Sequence, residues 1–337
     1  MDDRGGSMAN GNHIRHERMN YGHIKIYAGN GSLDLAAEVA SRIGIPLCER
    51  DIITFPNDNI FVRLHSSVRG QDCYAIQTTA APVQKNLMEL LILIRTLHQD
   101  SAARITAVIP YLGYSRSDKK DQPRVPITAR LVADMIEVAG ADRYIVYDLH
   151  SKQIQGFFSI PGDVLTAFYI LSDYLKSIRP RLQSPVIVAS DLGFSKNARS
   201  YGMALEAPLA FIEKRRTNDI HTRALTLIGD VQGRDAVIVD DEVDTGGSIC
   251  EAVQVVKQHG ARDVYVAFVH PVLSADAADR LAALPVAEFI TTNTIPIPPE
   301  KAALFGGRLR ILSIAPLLSE VIIRANEGRS VGELFNE

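Results

Sequence analysis

Between Val237 and Ser248 the chain reads VIVDDEVDTGGS. Three aliphatic residues, typical of a buried strand, run directly into a cluster of acidic residues and then into Thr-Gly-Gly-Ser, where the helical pattern SICEAVQVVKQHG begins. In a parallel α/β sheet, ligands bind where strands end and helices begin. The stretch therefore predicts a parallel α/β fold and a ligand site at one of its strand-to-helix joints.

The same alternation of strands and helices extends in both directions along the chain. Strands are predicted at HIKIYAG, RITAVIPYL, RYIVYDLH, PVIVAS, APLAFIE and DVYVAFVH. Helices are predicted at SLDLAAEVASRIG, opened by Ser32, at ITARLVADMIEVAG, ended by Gly140, and at APLLSEVIIRANEG. The apolar face of the second helix is predicted to consist of Ile127, Leu131, Met135 and Ile136. This order of elements predicts mainly parallel sheets with helices on both faces.

The length of 337 residues suits two α/β domains, at roughly 100–200 residues per domain. An internal echo suggests a duplication, because the segments 140–150 and 260–270 both run from a glycine through a strand to a histidine. We expect residues 1–22 to form a flexible extension, 23–165 an N-terminal domain and 166–311 a C-terminal domain. Part of 312–337 is expected to join the N-terminal domain.

Charge and composition exclude several classes of protein. The formal net charge of -3 disfavours a nucleic-acid binder that works by neutralising phosphates. Cys48, Cys73 and Cys250 are widely spaced, which fits a reducing compartment without a disulfide framework. The apolar run from Leu87 to Ile94 is far shorter than the ~20 residues that a membrane span needs. We therefore expect a cytoplasmic protein that binds neither nucleic acid nor membrane.

The opening stretch combines two chemistries. Glycines and hydroxyls at a helix N-terminus form a cradle for phosphate, because exposed N–H groups and the helix dipole favour an anion. Carboxylates do not bind phosphate, but neighbouring carboxylates accept hydrogen bonds from a pair of hydroxyl groups. Asp240 and Asp241 thus predict a sugar phosphate with a vicinal diol. The alternative, an acidic turn that caps a helix, explains Asp244 but not the two acids directly behind a buried strand.

This loop resembles the ribose 5-phosphate loop of phosphoribosyltransferases and ribose-phosphate pyrophosphokinases. YLGYSRSDKKDQPRVPITARLVADMI, DLHSKQIQGFFSIPGD and FIEKRRTND resemble the pyrophosphokinases alone, and the likeness extends from Ile24 to Phe335. The resemblance implies two tandem phosphoribosyltransferase-like domains. It also implies Mg²⁺-dependent transfer of the β,γ-diphosphoryl group of ATP to the 1-hydroxyl of ribose 5-phosphate, which gives PRPP and AMP for nucleotide biosynthesis. Family members are usually homo-oligomers, namely hexamers built from dimers.

The resemblance assigns roles to residues of the second half. The ribose 5-phosphate loop corresponds to Asp240, Asp241, Asp244, Thr245, Gly246, Gly247 and Ser248. Lys214 and Arg216 match catalytic positions on a loop that closes over the transferred group, although a charged run by itself favours a solvated face. His150 and Asp191 match positions associated with Mg²⁺ near the ATP phosphates. Without the resemblance, His150 would be interpreted as a structural histidine beside Asp148.

The nucleotide-binding segments depart from the family pattern. The family turn Phe-Ser-Asp-Gly-Glu, which meets adenine from a neighbouring subunit, corresponds here to Phe55-Pro56-Asn57-Asp58-Asn59, so that Phe55, Asn57 and Asn59 occupy the contact positions. A family Arg-Gln-Asp triplet corresponds to Arg116, Ser117 and Asp118, which with His150 complete the predicted ATP site. In the diphosphate loop, a family Gly-Gly pair is Gly193-Phe194. Because phenylalanine tolerates positive φ poorly, a different path is expected for this loop.

Three other functions stay open. A PRPP-consuming phosphoribosyltransferase would share the sugar-phosphate loop but not YSRSDKKD or the cationic loop. A non-catalytic regulatory paralogue would explain the altered nucleotide turn and Phe194. A dinucleotide-binding dehydrogenase is disfavoured, because AGNGS near Gly29 lacks the full GxGxxG spacing.

Overall fold

The computed structural model describes residues 21–191, 193–216 and 223–335, except for the side chains of residues 214–216, 223 and 224. The first sheet has five parallel strands in the order β1-β4-β5-β6-β7. Its strands are β1 (Ile24–Ala28), β4 (Asp72–Ile76), β5 (Arg104–Ile109), β6 (Arg143–Tyr147) and β7 (Gly162–Leu165). The accompanying helices are α1 (Leu33–Ile43), α2 (Val83–Gln99) and α3 (Thr128–Ala139). An antiparallel hairpin lies between α1 and β4 and consists of β2 (Arg50–Thr54) and β3 (Ile60–Leu64).

The second sheet has seven strands in the order β10-β9-β8-β11-β12-β13-β14, and only the β9–β10 pair is antiparallel. Its strands are β8 (Val186–Ala189), β9 (Leu209–Arg216), β10 (Arg223–Ile228), β11 (Ala236–Val243), β12 (Val264–Pro271), β13 (Glu288–Thr292) and β14 (Leu309–Leu312). Its helices are α4 (Phe168–Ile178), α5 (Ser195–Leu205), α6 (Gly247–Gln258), α7 (Ala277–Ala282) and α8 (Pro299–Leu304). The last helix is α9 (Ala315–Glu327).

The sequence explains the central strands. Every residue of β4, β5 and β8 is buried, as is expected for parallel strands covered by helices on both faces. The predicted helix stop at Gly140 is confirmed, because Gly140 adopts a left-handed conformation with φ 112°. The predicted helix start is confirmed, because Ser32 is the N-cap residue of α1, but its side chain makes no capping hydrogen bond. The Ser32 hydroxyl instead accepts a hydrogen bond from the Thr78 backbone N–H at 2.8 Å and so joins the first two strand-end loops.

The two sheets repeat one pattern. In each, a strand, a helix and an antiparallel hairpin precede two strand-helix units, so β1-β4-β5-β6-β7 correspond in order to β8-β11-β12-β13-β14. This pairing makes β12 the counterpart of β5. The sequence similarity between segments 140–150 and 260–270 instead matches β12 with β6, so this predicted correspondence is wrong by one strand-helix unit. The two histidines therefore occupy different places in the fold.

The C-terminal helix α9 returns to the first sheet and packs against α1. Ser319 of α9 lies 3.5 Å from the Val39 carbonyl oxygen, and Arg104 of β5 donates to the Ala325 carbonyl oxygen at 3.0 Å. The predicted domain boundaries remain predictions, and residues 1–20 of the predicted extension lie outside the described residues. Among the described residues, no helix has the length and apolarity to cross a membrane.

Candidate active site

Strand β11 carries the acidic pair to the carboxyl edge of the second sheet. Val237, Ile238 and Val239 are fully buried between β8 and β12, and Asp240 and Asp241 follow directly. Asp240 accepts a hydrogen bond from the Ser190 hydroxyl at 2.7 Å. Ser190 ends the neighbouring strand segment, so the two strand ends are joined at the site.

The two carboxyl groups differ in acidity. Burial raises the pKa of Asp240 well above its ordinary value, and the charge of Asp241 raises it further. Burial disfavours ionisation of Asp241, but hydrogen bonding to His150 and Asp240 and the charge of His150 together outweigh this effect and lower the pKa of Asp241. Asp241 is thus the more readily ionised member of the pair. Both lie where hydroxyl groups of a ligand would find acceptors.

The turn after β11 presents the N-terminus of α6. Gly246 has φ 75°, a left-handed conformation that favours glycine, and as the N-cap residue of α6 it has no side chain with which to cap the helix. The first backbone N–H groups of α6 therefore have no intrahelical acceptor, as in anion-binding helix N-termini. Asp244 accepts a hydrogen bond from Ser274, and Arg280 donates to the Thr245 carbonyl oxygen. These contacts secure the predicted phosphate cradle, which Gly247 and Ser248 continue.

His150 lies across the site from the acidic pair. Its Nδ1 is 2.8 Å from Asp241 Oδ2, although the two residues are far apart in sequence. This hydrogen bond raises the pKa of His150. The alternative in which His150 pairs with Asp148 is wrong, because the Asp148 carboxylate accepts from the Thr166 hydroxyl at 2.8 Å and the Ala167 N–H at 2.6 Å. His150, which follows β6 of the first sheet, therefore contacts the acidic pair at the carboxyl edge of the second sheet.

Arg116 joins the loop after β5 to the same edge. Its guanidinium lies 3.3 Å from Glu242 Oε1 and 3.3 Å from Asp244 Oδ2. Ser117 has a structural role, because its hydroxyl accepts from the Thr128 N–H at 3.2 Å at the start of α3. Asp118 follows in the same loop. The structure therefore brings Arg116 to the sugar-phosphate loop, while the ATP contacts of this triplet remain predictions.

Asp191 follows β8, one residue beyond Ser190. Its Oδ1 accepts a hydrogen bond from the Phe194 N–H at 3.0 Å. Phe194 has φ -87°, a conformation open to any residue, so at this position the loop needs no glycine. Among the described residues there is no group of three or more His, Cys, Asp or Glu side chains that could hold a metal ion. His150 and Asp191 thus suit only an ion that takes most of its ligands from phosphates and water.

The predicted adenine-binding turn lies at the tip of the β2–β3 hairpin. The Phe55 N–H donates to the Asn59 carbonyl oxygen at 2.8 Å, and the Asn59 N–H donates to Asn57 Oδ1 at 3.2 Å. The Phe55 side chain is 46% exposed, and its ring centroid is 6.2 Å from that of Phe61. The described contacts of these three residues lie within the hairpin. They present an aromatic ring and amide groups to the surface.

Lys214 and Arg216 lie in β9, where their backbones pair with Leu225 and Arg223 of β10. Their side chains lie outside the described part of the chain. Other residues of the site were missed. Ser190 ends a predicted strand beside Asp191, which was a local signal, whereas Ser274 and Arg280 follow a different strand and have no such signal in the sequence.

The protein has two mainly parallel sheets flanked by helices, and the loop Asp240–Ser248 lies at a strand end of the second sheet. This architecture defines an α/β protein with phosphoribosyltransferase-like domains. Residues 24–140 match the N-terminal domain of ribose phosphate pyrophosphokinase, and residues 219–336 match the phosphoribosyl synthetase-associated domain. The chain belongs to the ribose-phosphate pyrophosphokinase family.

Individual relatives are similar along most of the chain. The ribose-phosphate pyrophosphokinase of Caldanaerobacter subterraneus subsp. tengcongensis is 44% identical over 93% of this chain and 98% of its own length. That of Bacillus subtilis is 41% identical over 93% of this chain and 97% of its own length. The crystal structure of phosphoribosylpyrophosphate synthetase from Mycobacterium smegmatis has a TM-score of 0.85 and 40% identity, and covers 91% of this chain and 99% of that chain.

Proposed function

We propose that this protein is a ribose-phosphate diphosphokinase, which transfers the β,γ-diphosphoryl group of ATP to the 1-hydroxyl of ribose 5-phosphate and releases PRPP and AMP. The observation that carries the proposal is the placement of Asp240 and Asp241 next to the N-terminus of α6, whose N-cap residue is Gly246. One edge of the second sheet thus offers acceptors for hydroxyl groups and donors for a phosphate.

Ribose 5-phosphate fits these two groups of contacts. Its vicinal hydroxyls would donate to Asp240 and Asp241, and its phosphate would accept from the backbone N–H groups at Gly246–Ser248 and from the Thr245 and Ser248 hydroxyls. Because Asp240 is held by Ser190 and Asp241 by His150, both carboxyl groups are oriented before the sugar binds. Such preorganisation reduces the entropy that binding costs.

ATP would bind with its phosphates towards His150 and Asp191. Mg²⁺ bound to those phosphates would neutralise the charge that develops during diphosphoryl transfer. Arg116 and Asp118 would contact the nucleotide, and the exposed turn with Phe55 would meet adenine in a neighbouring subunit. We further propose that the protein is a homo-oligomer, a hexamer assembled from dimers, and that it acts in the cytoplasm. The amides Asn57 and Asn59 can both donate and accept, so they can read the adenine edge.

Lys214 and Arg216 supply the positive charge for the transferred group. Phosphoryl transfer needs little covalent chemistry from the protein, so positioning and charge stabilisation dominate. Both residues lie on β9, which is the neighbour of β8 on the side away from β11. Their placement next to the strand that leads to Asp191 supports a role over the phosphates.

Product analysis tests the proposal. The purified protein is incubated with ATP, Mg²⁺ and ribose 5-phosphate, and AMP and PRPP are quantified, with GTP and CTP in parallel. Equal amounts of AMP and PRPP are expected, and omission of Mg²⁺ should abolish both. Consumption of PRPP with a nucleobase would indicate a phosphoribosyltransferase instead. Binding of ribose 5-phosphate without turnover would indicate a non-catalytic paralogue.

A further inference from the structure

His270 is a buried histidine that the proposed reaction does not use. It lies in β12 opposite Glu242 of β11, and only 3% of it is exposed. Its ring packs edge-on against Tyr111, with the ring centroids 5.1 Å apart. Its two nitrogen atoms lie 3.0 Å from Thr294 Oγ1 and 3.2 Å from the Asp148 carbonyl oxygen. His270 therefore connects the second sheet to the first.

The hydrogen-bonding partners specify one arrangement of the neutral ring. A carbonyl oxygen can only accept, so Nε2 of His270 carries the proton and donates to Asp148. Nδ1 is then an acceptor, and the Thr294 hydroxyl donates to it. The Thr292 hydroxyl donates to the Val269 carbonyl oxygen at 2.8 Å and lies 3.0 Å from Thr294 Oγ1. His270, oriented by the Thr294 hydroxyl, thus holds the Asp148 backbone carbonyl in the loop after β6 of the first sheet.

The residue held in this way has an unusual conformation. Asp148 has φ 32°, which is rare for a residue other than glycine and persists only where surrounding contacts maintain it. Thr166 and Ala167 hold its carboxylate, and His270 holds its carbonyl group. The chain direction set at Asp148 determines where His150 points two residues later. His150 in turn contacts Asp241, which lies in the second sheet.

We propose that His270 is a positioning residue that fixes the Asp148–His150 turn and thereby directs the His150 imidazole to the acidic pair. His270 itself touches neither substrate nor the transferred group. The role in catalysis rests on the proposed function, because it is through His150 and its ATP-bound Mg²⁺ that the turn would affect diphosphoryl transfer.

Two substitutions at His270 distinguish the effect of its hydrogen bond to Asp148 from the effect of its side-chain volume. His270→Phe keeps a ring of similar size but cannot donate to Asp148, whereas His270→Gln can place an amide N–H near the position of Nε2. Amide hydrogen exchange of residues 147–151 is measured by mass spectrometry, with β4 as the internal reference. Exchange in the Phe variant should be roughly two- to tenfold faster, as the loss of one hydrogen bond allows, and the Gln variant should restore it.

A second pair of variants covers the case in which His270→Phe fails to fold. Thr294→Val removes the hydroxyl that orients the His270 ring. Thr291→Val removes a buried hydroxyl that donates to Val269 at 3.2 Å and does not contact His270. Faster exchange at residues 147–151 is expected for Thr294→Val and not for Thr291→Val.

Enzyme assays of the same variants connect the turn to catalysis. The Mg²⁺ concentration for half-maximal activity should rise severalfold in His270→Phe, more than the KM for ribose 5-phosphate, and His270→Gln should restore it. Unchanged exchange at residues 147–151 in folded His270→Phe protein, or equal effects of Thr294→Val and Thr291→Val, would overturn the proposal. If wild-type protein makes no PRPP while the exchange result holds, the proposed function fails and the positioning of the turn stands.

Discussion

Each of the two sheets has an Arg–Asp ion pair of the same kind at the amino ends of its strands. The side chains at the carboxyl ends of the strands differ between the sheets. In the first sheet, Arg104 donates to Asp72 through Nε at 2.8 Å and Nη2 at 2.6 Å. In the second, Arg262 contacts Asp235 in the same two-point manner, with Nε at 2.7 Å. Both pairs lie where the corresponding strands β4 and β11, and β5 and β12, begin. The ends that support the fold are alike.

Five and six residues after Asp72 and Asp235, at the carboxyl ends of β4 and β11, the two sheets carry different side chains. The second sheet has Asp240 and Asp241, and the first has Gln77 and Thr78 at the corresponding positions. Gln77 is occupied internally, because it accepts from the Gly31 N–H at 2.9 Å and donates to buried Glu89 at 3.1 Å. One scaffold therefore carries the proposed sugar-phosphate loop at the end of β11 and an internal polar network at the end of β4.

The largest effect should follow from removing the acidic pair. Asp240→Asn with Asp241→Asn replaces two acceptors for sugar hydroxyls by amides, and each charge-assisted hydrogen bond contributes about 1.5–3 kcal/mol. We expect kcat/KM for ribose 5-phosphate to fall at least ~10³-fold. Steady-state kinetics measures this effect, and Gln77→Asn is the matched control in the first sheet. Full activity of the double variant would show that the sugar binds elsewhere.

The shared ion pairs should differ in their importance for stability. The Arg104–Asp72 pair is buried, so Arg104→Met leaves an inadequately compensated carboxylate and should cost about 3 kcal/mol of unfolding free energy. Asp235 is also buried, but it keeps hydrogen bonds from the Gln183 and Asp263 N–H groups and its partner Arg262 is 41% exposed, so Arg262→Met should cost clearly less. Urea denaturation of both variants measures the difference. Equal losses of unfolding free energy in the two variants would mean that the two ion pairs do not differ in their importance for stability.

The hairpins that precede β4 and β11 also differ in their expected role. Lys214 lies on the β9–β10 hairpin of the second sheet, and Lys214→Ala should lower kcat at least ~100-fold because its charge acts mainly in the transition state. Its effect on ribose 5-phosphate affinity should be small. Lys176→Ala, at an exposed lysine of α4, is the control. Equal losses in kcat and in affinity would identify Lys214 as an ordinary substrate-binding residue.

Local patterns in the sequence predicted the strand-loop-helix unit that contains Asp240, Asp241 and Gly246. Buried aliphatic residues, Asp240 and Asp241, and the left-handed Gly246 follow one another within a single strand-loop-helix unit. The contact of His150 with Asp241 joins residues from different sheets, and no local pattern contains it. His150 and Asp241 come together only because the two sheets pack next to each other in the folded protein.

The apolar face predicted for α3 is right at Ile136, which is fully buried, and at Met135, which packs against the core, but wrong at Leu131. Leu131 is 55% exposed, because the helix packs through Ala129, Val132, Ala133 and Ile136. Small residues allow close approach to the sheet, whereas the pattern gave weight to the larger side chains. The segment Leu87–Ile94, considered only as a membrane span, lies in α2 and packs into the core.

Acid should destabilise the second sheet through His270, which is buried in β12. Burial lowers the pKa of His270 to about 4. Because the unfolded chain binds this proton at a pKa of about 6.5, stability is fully present above pH 6.5 and is lost as the pH falls towards 4. Between pH 6.5 and 4.5, wild-type protein should lose about 2–3 kcal/mol more than His270→Gln. Urea denaturation at several pH values tests this, and parallel curves would contradict it; His259→Gln, at an exposed histidine, is the control.

The smallest effect is expected at Thr78, which occupies the position of Asp241 in the first sheet. Its hydroxyl is buried and has no hydrogen-bond partner among the described residues, and Thr78 lines a cavity of about 260 Å³ with Lys85 and Glu89. Removing an unpaired buried hydroxyl is neutral or stabilising, so Thr78→Val should leave kcat/KM within about twofold and stability equal or slightly higher. Asp241→Asn, measured beside it, should lower kcat/KM steeply. A tenfold loss of activity in Thr78→Val would show that the first sheet also binds a ligand at this end, and the contrast between the sheets would fail.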